Sequence, residues 1–159
     1  KHPDRVSKIV SIGGVGVRFE LTEALDFAWG YTPSLDNMRR MLESFPYDKS
    51  LITEEIVNLR YQGSRRPGVQ ESYAMMFPSP RQNSIDALSC TEDDISAISH
   101  QTLLIHGRED RLVPYDQVAL KIHDLIKASE LHVIGECGHW STVEHTQKVN
   151  ALLLRFLEH

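Results

Sequence analysis

The sequence predicts an α/β fold in which a parallel sheet is interrupted by a long helical insertion. Three short apolar runs are bounded by glycine, proline or charged residues, as buried parallel strands are: Ser7–Ile12, Thr102–Ile105 and Leu131–Ile134. Amphipathic stretches follow the second and third runs, at Tyr115–Lys127 and Val143–Leu157. Because strands that alternate with helices form parallel sheets with right-handed crossovers, these segments should share one sheet.

The middle of the chain, residues 18–98, is predicted to form a helical lid over this sheet. Four segments in it carry the capping residues or the apolar spacing of helices. They are Ser34–Phe45, Thr53–Arg60, Asp86–Leu88 and a capping-box-like start at Thr91 and Asp94. Residues 1–17 should then supply a core strand with its turn, and residues 99–159 the remaining core strands and helices.

The composition excludes several classes of function. A hydrophobic content of 41% with 25% charged residues is typical of a soluble domain, and the net charge of −5 disfavours nucleic acid or an anionic membrane as partner. Cys90 and Cys137 lie far apart without the spacing of metal ligands. Free thiols in the reducing environment of the cytoplasm are therefore expected rather than a disulfide.

An acidic residue follows the second predicted strand in "LLIHGREDRLVP", residues 103–114. Open α/β sheets place their sites beyond the carboxyl ends of parallel strands, where Asp110 lies. Asp110 could orient an imidazole there and stabilise its cationic form. A solvated loop carboxylate is the alternative.

A histidine follows the third predicted strand in "LHVIGECGHWSTVEH", residues 131–145. His139 comes 29 residues after Asp110, with one predicted helix and one strand between them. That spacing brings both residues to the carboxyl edges of neighbouring strands, within reach of a hydrogen bond. The order of acid before base is that of a hydrolytic triad, in which a nucleophile should come still earlier.

No nucleophile is evident in the 159 residues. The strained elbow of such enzymes needs a G-x-S-x-G-like turn between strand and helix, and neither Ser64 nor Cys137 has those surroundings. Gly13–Gly16 follows a strand but lacks the Lys and Ser/Thr of a phosphate-binding loop. The abrupt opening "KHPDRVSKIVSIGG" leads to the expectation that the natural polypeptide starts upstream.

Four segments together resemble the meta-cleavage product hydrolases of bacterial aromatic degradation, members of the α/β-hydrolase superfamily. They are "GGVGVRFELTEALDFAWGYTPS", "LITEEIVNLRYQGSRRPGVQESYAMMFPSPRQ", "HGREDRLVP" and "GECGHWSTVEH". The resemblance covers essentially the whole chain, aligned to the C-terminal part of the α/β-hydrolase fold. It is closest to the monoalkylbenzene branch. The first two segments, from the insertion, are the more specific.

The resemblance implies roles for individual residues. Asp110 matches the triad acid and His139 the general base. Arg60 matches an arginine that engages the carboxylate end of the substrate, and Trp140 an aromatic residue that shapes the site. The alternatives are an exposed helix residue for Arg60 and core packing for Trp140. An apolar end of the site could be formed by Phe27, Trp29, Met75, Met76 and Phe77, although a cluster of methionine and aromatic residues is more often plain core.

The implied reaction is hydrolysis of a carbon–carbon bond in a 2-hydroxy-6-oxo-dienoate, after an enol-to-keto shift. A serine outside this chain would be the nucleophile, and the full-length protein would be a homo-oligomer. Two alternatives remain within the scaffold: another lidded hydrolase, such as an esterase or haloalkane dehalogenase, and a ligand receptor without catalysis. A fragment without function of its own is the third.

Overall fold

Three parallel strands form one sheet in the computed structural model, which describes residues 2–158. Strand β1 spans Lys8–Ile12, β2 spans Gln101–Gly107 and β3 spans Ser129–Ile134, in the order β1-β2-β3. The predicted parallel sheet is therefore confirmed. Lys1, the first residue of the predicted N-terminal core segment, and His159 lie outside the described residues.

Between β1 and β2 the described chain is helical. The helices are α1 Glu23–Trp29, α2 Leu35–Leu42, α3 Glu54–Ser64, α4 Val69–Met76, α5 Gln82–Leu88 and α6 Glu92–Ser96. Hydroxyl caps begin four of them, because the side chains of Thr22, Ser34, Thr53 and Thr91 each accept a backbone N–H of the first turn. The sequence predicts the start of α2, α3 and α6 but misses α1 and α4.

The capping box predicted at Thr91 forms in a modified way. The Thr91 hydroxyl accepts the N–H of Asp94 at 3.1 Å, as an N-cap should. The return contact differs, because the hydroxyl donates to the Asp94 carboxylate at 2.6 Å. In a full capping box the side chain at that position reaches the backbone of the cap. The shorter aspartate bonds the hydroxyl instead.

Three helices follow β2, at α7 Ala119–Leu125, α8 Ser141–Glu144 and α9 Thr146–Glu158. The helix predicted over Tyr115–Lys127 starts only at Ala119, because the preceding residues turn beneath the Pro114 carbonyl, which accepts the N–H of Val118 at 3.1 Å. The closing helix predicted over residues 143–157 is confirmed from Thr146 onward, but its predicted start is wrong, because α8 is a separate helix.

The break between α8 and α9 lies at His145. Its backbone has φ −130° and ψ 44°, which is not helical. Its ring nitrogen Nε2 donates to the Glu136 carbonyl at 3.0 Å and holds the residue against the preceding loop. The two helices are therefore separate elements, and the residue between them is bonded to the loop after β3.

The sheet packs on both faces. Leu103 and Ile105 point to one face, where Val149 of α9 covers them in a shared cluster. Leu104 points to the other and joins Ile122 of α7 in a larger cluster. Residues of α1, α5 and α6 complete that cluster: Leu25, Ala28, Ile85 and Ile95. The helical segment between β1 and β2 thus shares a core with the sheet, which fixes its base relative to the carboxyl ends of the strands.

Gly107 at the end of β2 provides a test of this packing. A Cβ atom there would lie 2.1 Å from the Gly138 carbonyl oxygen and 2.4 Å from that of Cys137, both backbone atoms that cannot rotate away. We expect Gly107→Ala to lower the free energy of unfolding by about 2–3 kcal/mol. Gly63→Ala in α3 is the control, since nothing lies within 4 Å of its added Cβ; it should stabilise by about 0.5–1 kcal/mol. Urea unfolding measures both, and equal effects would contradict the close approach.

Candidate active site

The turn after β2 buries the carboxylate of Asp110, whose side chain is fully inaccessible. Its Oδ1 atom accepts the backbone N–H of Leu112 at 2.9 Å and of Val113 at 3.0 Å. Its Oδ2 atom lies 2.8 Å from His139 Nδ1 and 3.2 Å from His106 Nε2. Each carboxylate oxygen therefore has two donors, which fixes the orientation of the group.

These contacts decide the charge of Asp110. Burial alone would raise its pKa, because a low dielectric disfavours the charged form. The hydrogen bonds from His106 and His139 favour the carboxylate and outweigh burial, so the pKa falls to about 2. Asp110 is consequently ionised at every pH at which the protein would work.

The ionised partner determines which nitrogen of His139 carries a proton. Since Asp110 can only accept, Nδ1 must be the donor, and Nε2 of the neutral ring is left with a free lone pair. The His139 side chain is 25% exposed. The structure thus brings together the acid and base that the sequence predicts, with the geometry that a general base requires.

Backbone contacts hold the His139 loop. The N–H of Cys137 donates to the Glu109 carboxylate at 3.1 Å, and the Cys137 carbonyl accepts the N–H of Glu109 at 3.0 Å. The N–H of His139 donates to the Phe45 carbonyl at 2.7 Å. The loop is therefore attached both to the acid-bearing turn and to the helical segment between β1 and β2.

A cavity of about 270 Å³ is lined by two neighbours of His139, the adjacent Trp140 and Phe45, whose ring is 5.8 Å from the imidazole. Trp140 and Phe45 are part of its wall, and their rings are 5.4 Å apart. Arg60 of α3 also lines it, although the residue as a whole is exposed, and no residue within 2–158 forms an ion pair with its guanidinium. The rest of the wall is mainly apolar, with Tyr31, Met38, Met41, Leu42, Ser64, Val69, Gln70 and Tyr73. Arg60 and Trp140, both predicted from the sequence, therefore share one cavity.

The residues expected to form the apolar end of the site do not line this cavity. Trp29 and Phe77 stack on each other with ring centroids 4.5 Å apart. Met75 is 75% exposed and Met76 is 60% exposed. Phe27 lies beneath an arginine side chain of α2. Much of the apolar wall comes instead from Met38, Met41 and Leu42 of α2, a helix that the sequence predicts but does not assign to the site.

His106 is a part of the site that the sequence analysis does not identify. It is 1% exposed, and its Nε2 lies 2.9 Å from the Val113 carbonyl as well as 3.2 Å from Asp110. Both partners are acceptors, so this nitrogen must carry a proton. A histidine inside an otherwise apolar strand, four residues before an acid, was the available signal.

Neither nucleophile considered from the sequence is available for chemistry. Burial, followed by the nearby Glu144 and Glu109 carboxylates, raises the pKa of Cys137 to about 12, so it stays a thiol. The Ser64 hydroxyl is engaged with the Tyr31 hydroxyl at 2.9 Å and the Tyr61 carbonyl at 2.8 Å. Cys90 and Cys137 form no disulfide with each other.

Two further absences concern only the part of the chain that the structure describes. No group of three or more His, Cys, Asp or Glu side chains is arranged to hold a metal ion. None of the helices there has both the length and the apolar character needed to cross a membrane.

Comparison with known proteins places the fold. The family model of the alpha/beta hydrolase fold matches residues 1–146. The chain belongs to the α/β-hydrolase fold family. In this family the carboxyl ends of the strands carry the acid and base after the nucleophile, which is where Asp110 and His139 lie.

Individual relatives are more specific. A 2-hydroxymuconate semialdehyde hydrolase of Pseudomonas putida is 51% identical over 157 residues, covering 99% of this chain and 56% of the relative. A 2-hydroxy-6-oxo-2,4-heptadienoate hydrolase of Pseudomonas putida strain F1 is 48% identical with the same coverage. A solved meta-cleavage product hydrolase of Pseudomonas fluorescens IP01 matches with a TM-score of 0.94 and 48% identity, over 97% of this chain and 56% of that one. The chain thus spans little more than half the length of these relatives.

The buried carboxylate gives a testable pH dependence. The pKa of Asp110 in the fold, about 2, lies below its ordinary value of 3.8, so its ionisation stabilises the fold above about pH 4. That contribution is lost as the pH falls through 2. Asp110→Asn should lower the free energy of unfolding by about 2 kcal/mol at pH 7, and the difference from the parent should shrink between pH 4 and pH 2.

Denaturant unfolding at several pH values measures this difference. Asp116→Asn, which changes an exposed carboxylate six residues further along, is the matched control and should have little effect. A constant difference between Asp110→Asn and the parent from pH 7 to pH 2 would show that the ionised form has no special role.

Proposed function

We propose that this chain is part of a hydrolase that cleaves a carbon–carbon bond in 2-hydroxy-6-oxo-dienoates. The observation that carries the proposal is the His139–Asp110 pair, whose neighbours Phe45 and Trp140 line a mainly apolar cavity together with Arg60. The proposal is supported by sequence identities of 51% and 48% to two enzymes that are named for such substrates. The proposed reaction needs only water and the dienoate, without a metal or an organic cofactor.

His139 would act as the base through Nε2. It would take the proton of a serine hydroxyl, or of water, that attacks the keto carbon of the substrate, while Asp110 stabilises the imidazolium that results. The carbon–carbon bond then breaks, its electron pair stays on the dienol portion, and a proton completes that product. When serine is the nucleophile, the other portion is left as an ester of that serine; water then cleaves this ester, so that its oxygen ends in the carboxylic acid and the serine hydroxyl is restored. The serine is proposed to lie outside these 159 residues.

Arg60 would recognise the substrate carboxylate. A guanidinium can donate two parallel hydrogen bonds to a carboxylate, and such charge-assisted bonds are stronger than neutral ones. The apolar wall would hold the hydrocarbon portion, with Trp140 as a rigid surface beside the base. Esterases and dehalogenases of the same fold share an acid and a base, but a cation in the cavity favours an acidic substrate over a neutral ester.

The reaction itself can be tested with the complete protein, meaning this chain joined to the portion that supplies the nucleophile. It should release product from 2-hydroxy-6-oxo-2,4-heptadienoate faster than from simple esters. His139→Ala should reduce kcat by roughly 1,000-fold or more. Residues 1–159 alone should show no hydrolysis that depends on His139. Preferential turnover of esters by the complete protein would overturn the proposed reaction.

Substrate recognition gives a separate test. Arg60→Ala should reduce kcat/KM for the dienoate by roughly 30- to 1,000-fold, which corresponds to about 2–4 kcal/mol, and Arg60→Lys should retain part of the activity. Hydrolysis of a neutral ester should change much less. Arg66→Ala is the matched control, since Arg66 is exposed on the same segment and does not line the cavity. Equal losses on acid and ester would assign Arg60 a structural role.

Three expectations accompany this function and stay predictions. One is a cytoplasmic setting, which the free thiols of Cys90 and Cys137 suit. Another is assembly of the full-length protein into a homo-oligomer. The third is that residues 18–98 act as a lid over the site, which their contribution to the cavity supports.

A further inference from the structure

We propose that Glu144 is a positioning residue that couples the helical segment between β1 and β2 to the base, His139. Glu144 lies in α8 and does not line the cavity. Its carboxylate instead joins two loops that are far apart in sequence. We refer to residues 45–48 as the wall loop and to residues 137–139 as the base loop.

The Glu144 carboxylate lies between these loops. Its Oε1 accepts the backbone N–H of Tyr47 at 2.7 Å and that of Asp48 at 3.3 Å. Its Oε2 accepts the N–H of Gly138 at 2.9 Å. One side chain therefore bonds both loops, one through each oxygen. A shift of the wall loop would be transmitted through Glu144 to Gly138, the residue next to His139.

A second set of contacts fastens the same two loops. The N–H of His139 donates to the Phe45 carbonyl at 2.7 Å. Gly138 packs so closely that a Cβ atom on it would lie 2.3 Å from that carbonyl oxygen. The Phe45 ring is 5.8 Å from the His139 ring and 5.4 Å from that of Trp140. The base, the cavity wall and Glu144 are thus parts of one unit.

The chemistry of the partners makes a carboxylate necessary. Tyr47, Asp48 and Gly138 all present N–H donors, and they approach from two sides. A carboxylate offers an acceptor on each side. A glutamine of the same size has an acceptor on one side only and would turn its NH₂ group towards an N–H on the other. A residue that merely fills space would tolerate glutamine, whereas a residue that joins the two loops would not.

This difference decides the experiment. In Glu144→Gln and in Glu144→Ala of the complete protein, amide hydrogen exchange at Tyr47, Gly138 and His139 should accelerate roughly 10-fold or more. The downfield proton NMR signal of His139 Nδ1–H, donated to Asp110, should broaden or shift upfield. With 2-hydroxy-6-oxo-2,4-heptadienoate, kcat should fall roughly 10- to 100-fold, because the base is displaced, while KM changes much less.

Val143→Ala is the matched control on α8, since that side chain is 56% exposed and bonds neither loop. It should leave all three readouts unchanged. Parent-like exchange, Nδ1–H signal and kcat in Glu144→Gln would overturn the proposal, as would a lower Tm in both variants without change at His139.

Only the kinetic measurement rests on the proposed function. If the parent does not hydrolyse dienoates, that function fails, and the exchange and NMR results still decide the role of Glu144.

Discussion

The ionised carboxylate of Asp110 is the interaction on which the site depends. A buried charge is tolerated only when its hydrogen bonds are complete, and here two backbone N–H groups and two imidazoles supply them. The donors come from the turn after β2, from β2 itself and from the loop after β3. Because one small group satisfies all of them, the carboxyl ends of two neighbouring strands and the base are fixed relative to each other.

Local patterns were sufficient for the sheet and for the acid–base pair. Leu103, Leu104 and Ile105 form a continuous apolar run because β2 is the central strand, covered on both faces. The hydroxyl caps of α2 and α3 are equally local signals. Parallel neighbouring strands must end at the same edge, so an acid after one and a histidine after the next could be expected to meet.

The remaining features depend on contacts that no short pattern contains. The helix break at His145 follows from a bond to the Glu136 carbonyl, and the cavity wall follows from the way α2 packs beside Trp140. Met38 and Met41 line the cavity, whereas the equally apolar Met75 and Met76 are exposed. Hydrophobicity alone gives no reason for one pair over the other, since the choice is made by long-range packing.

Under the proposed function, these contacts place chemistry and substrate recognition in different parts of the molecule. The acid and base sit at the edge of the sheet, held by backbone groups, while Arg60 and most of the cavity wall come from the helical segment. Changes in α2 or α3 can therefore alter what the cavity accepts without disturbing the carboxylate–imidazole pair. The exception is the junction at Phe45, whose carbonyl bonds the backbone of His139 and whose ring faces the cavity. At that point a change in recognition must also displace the base.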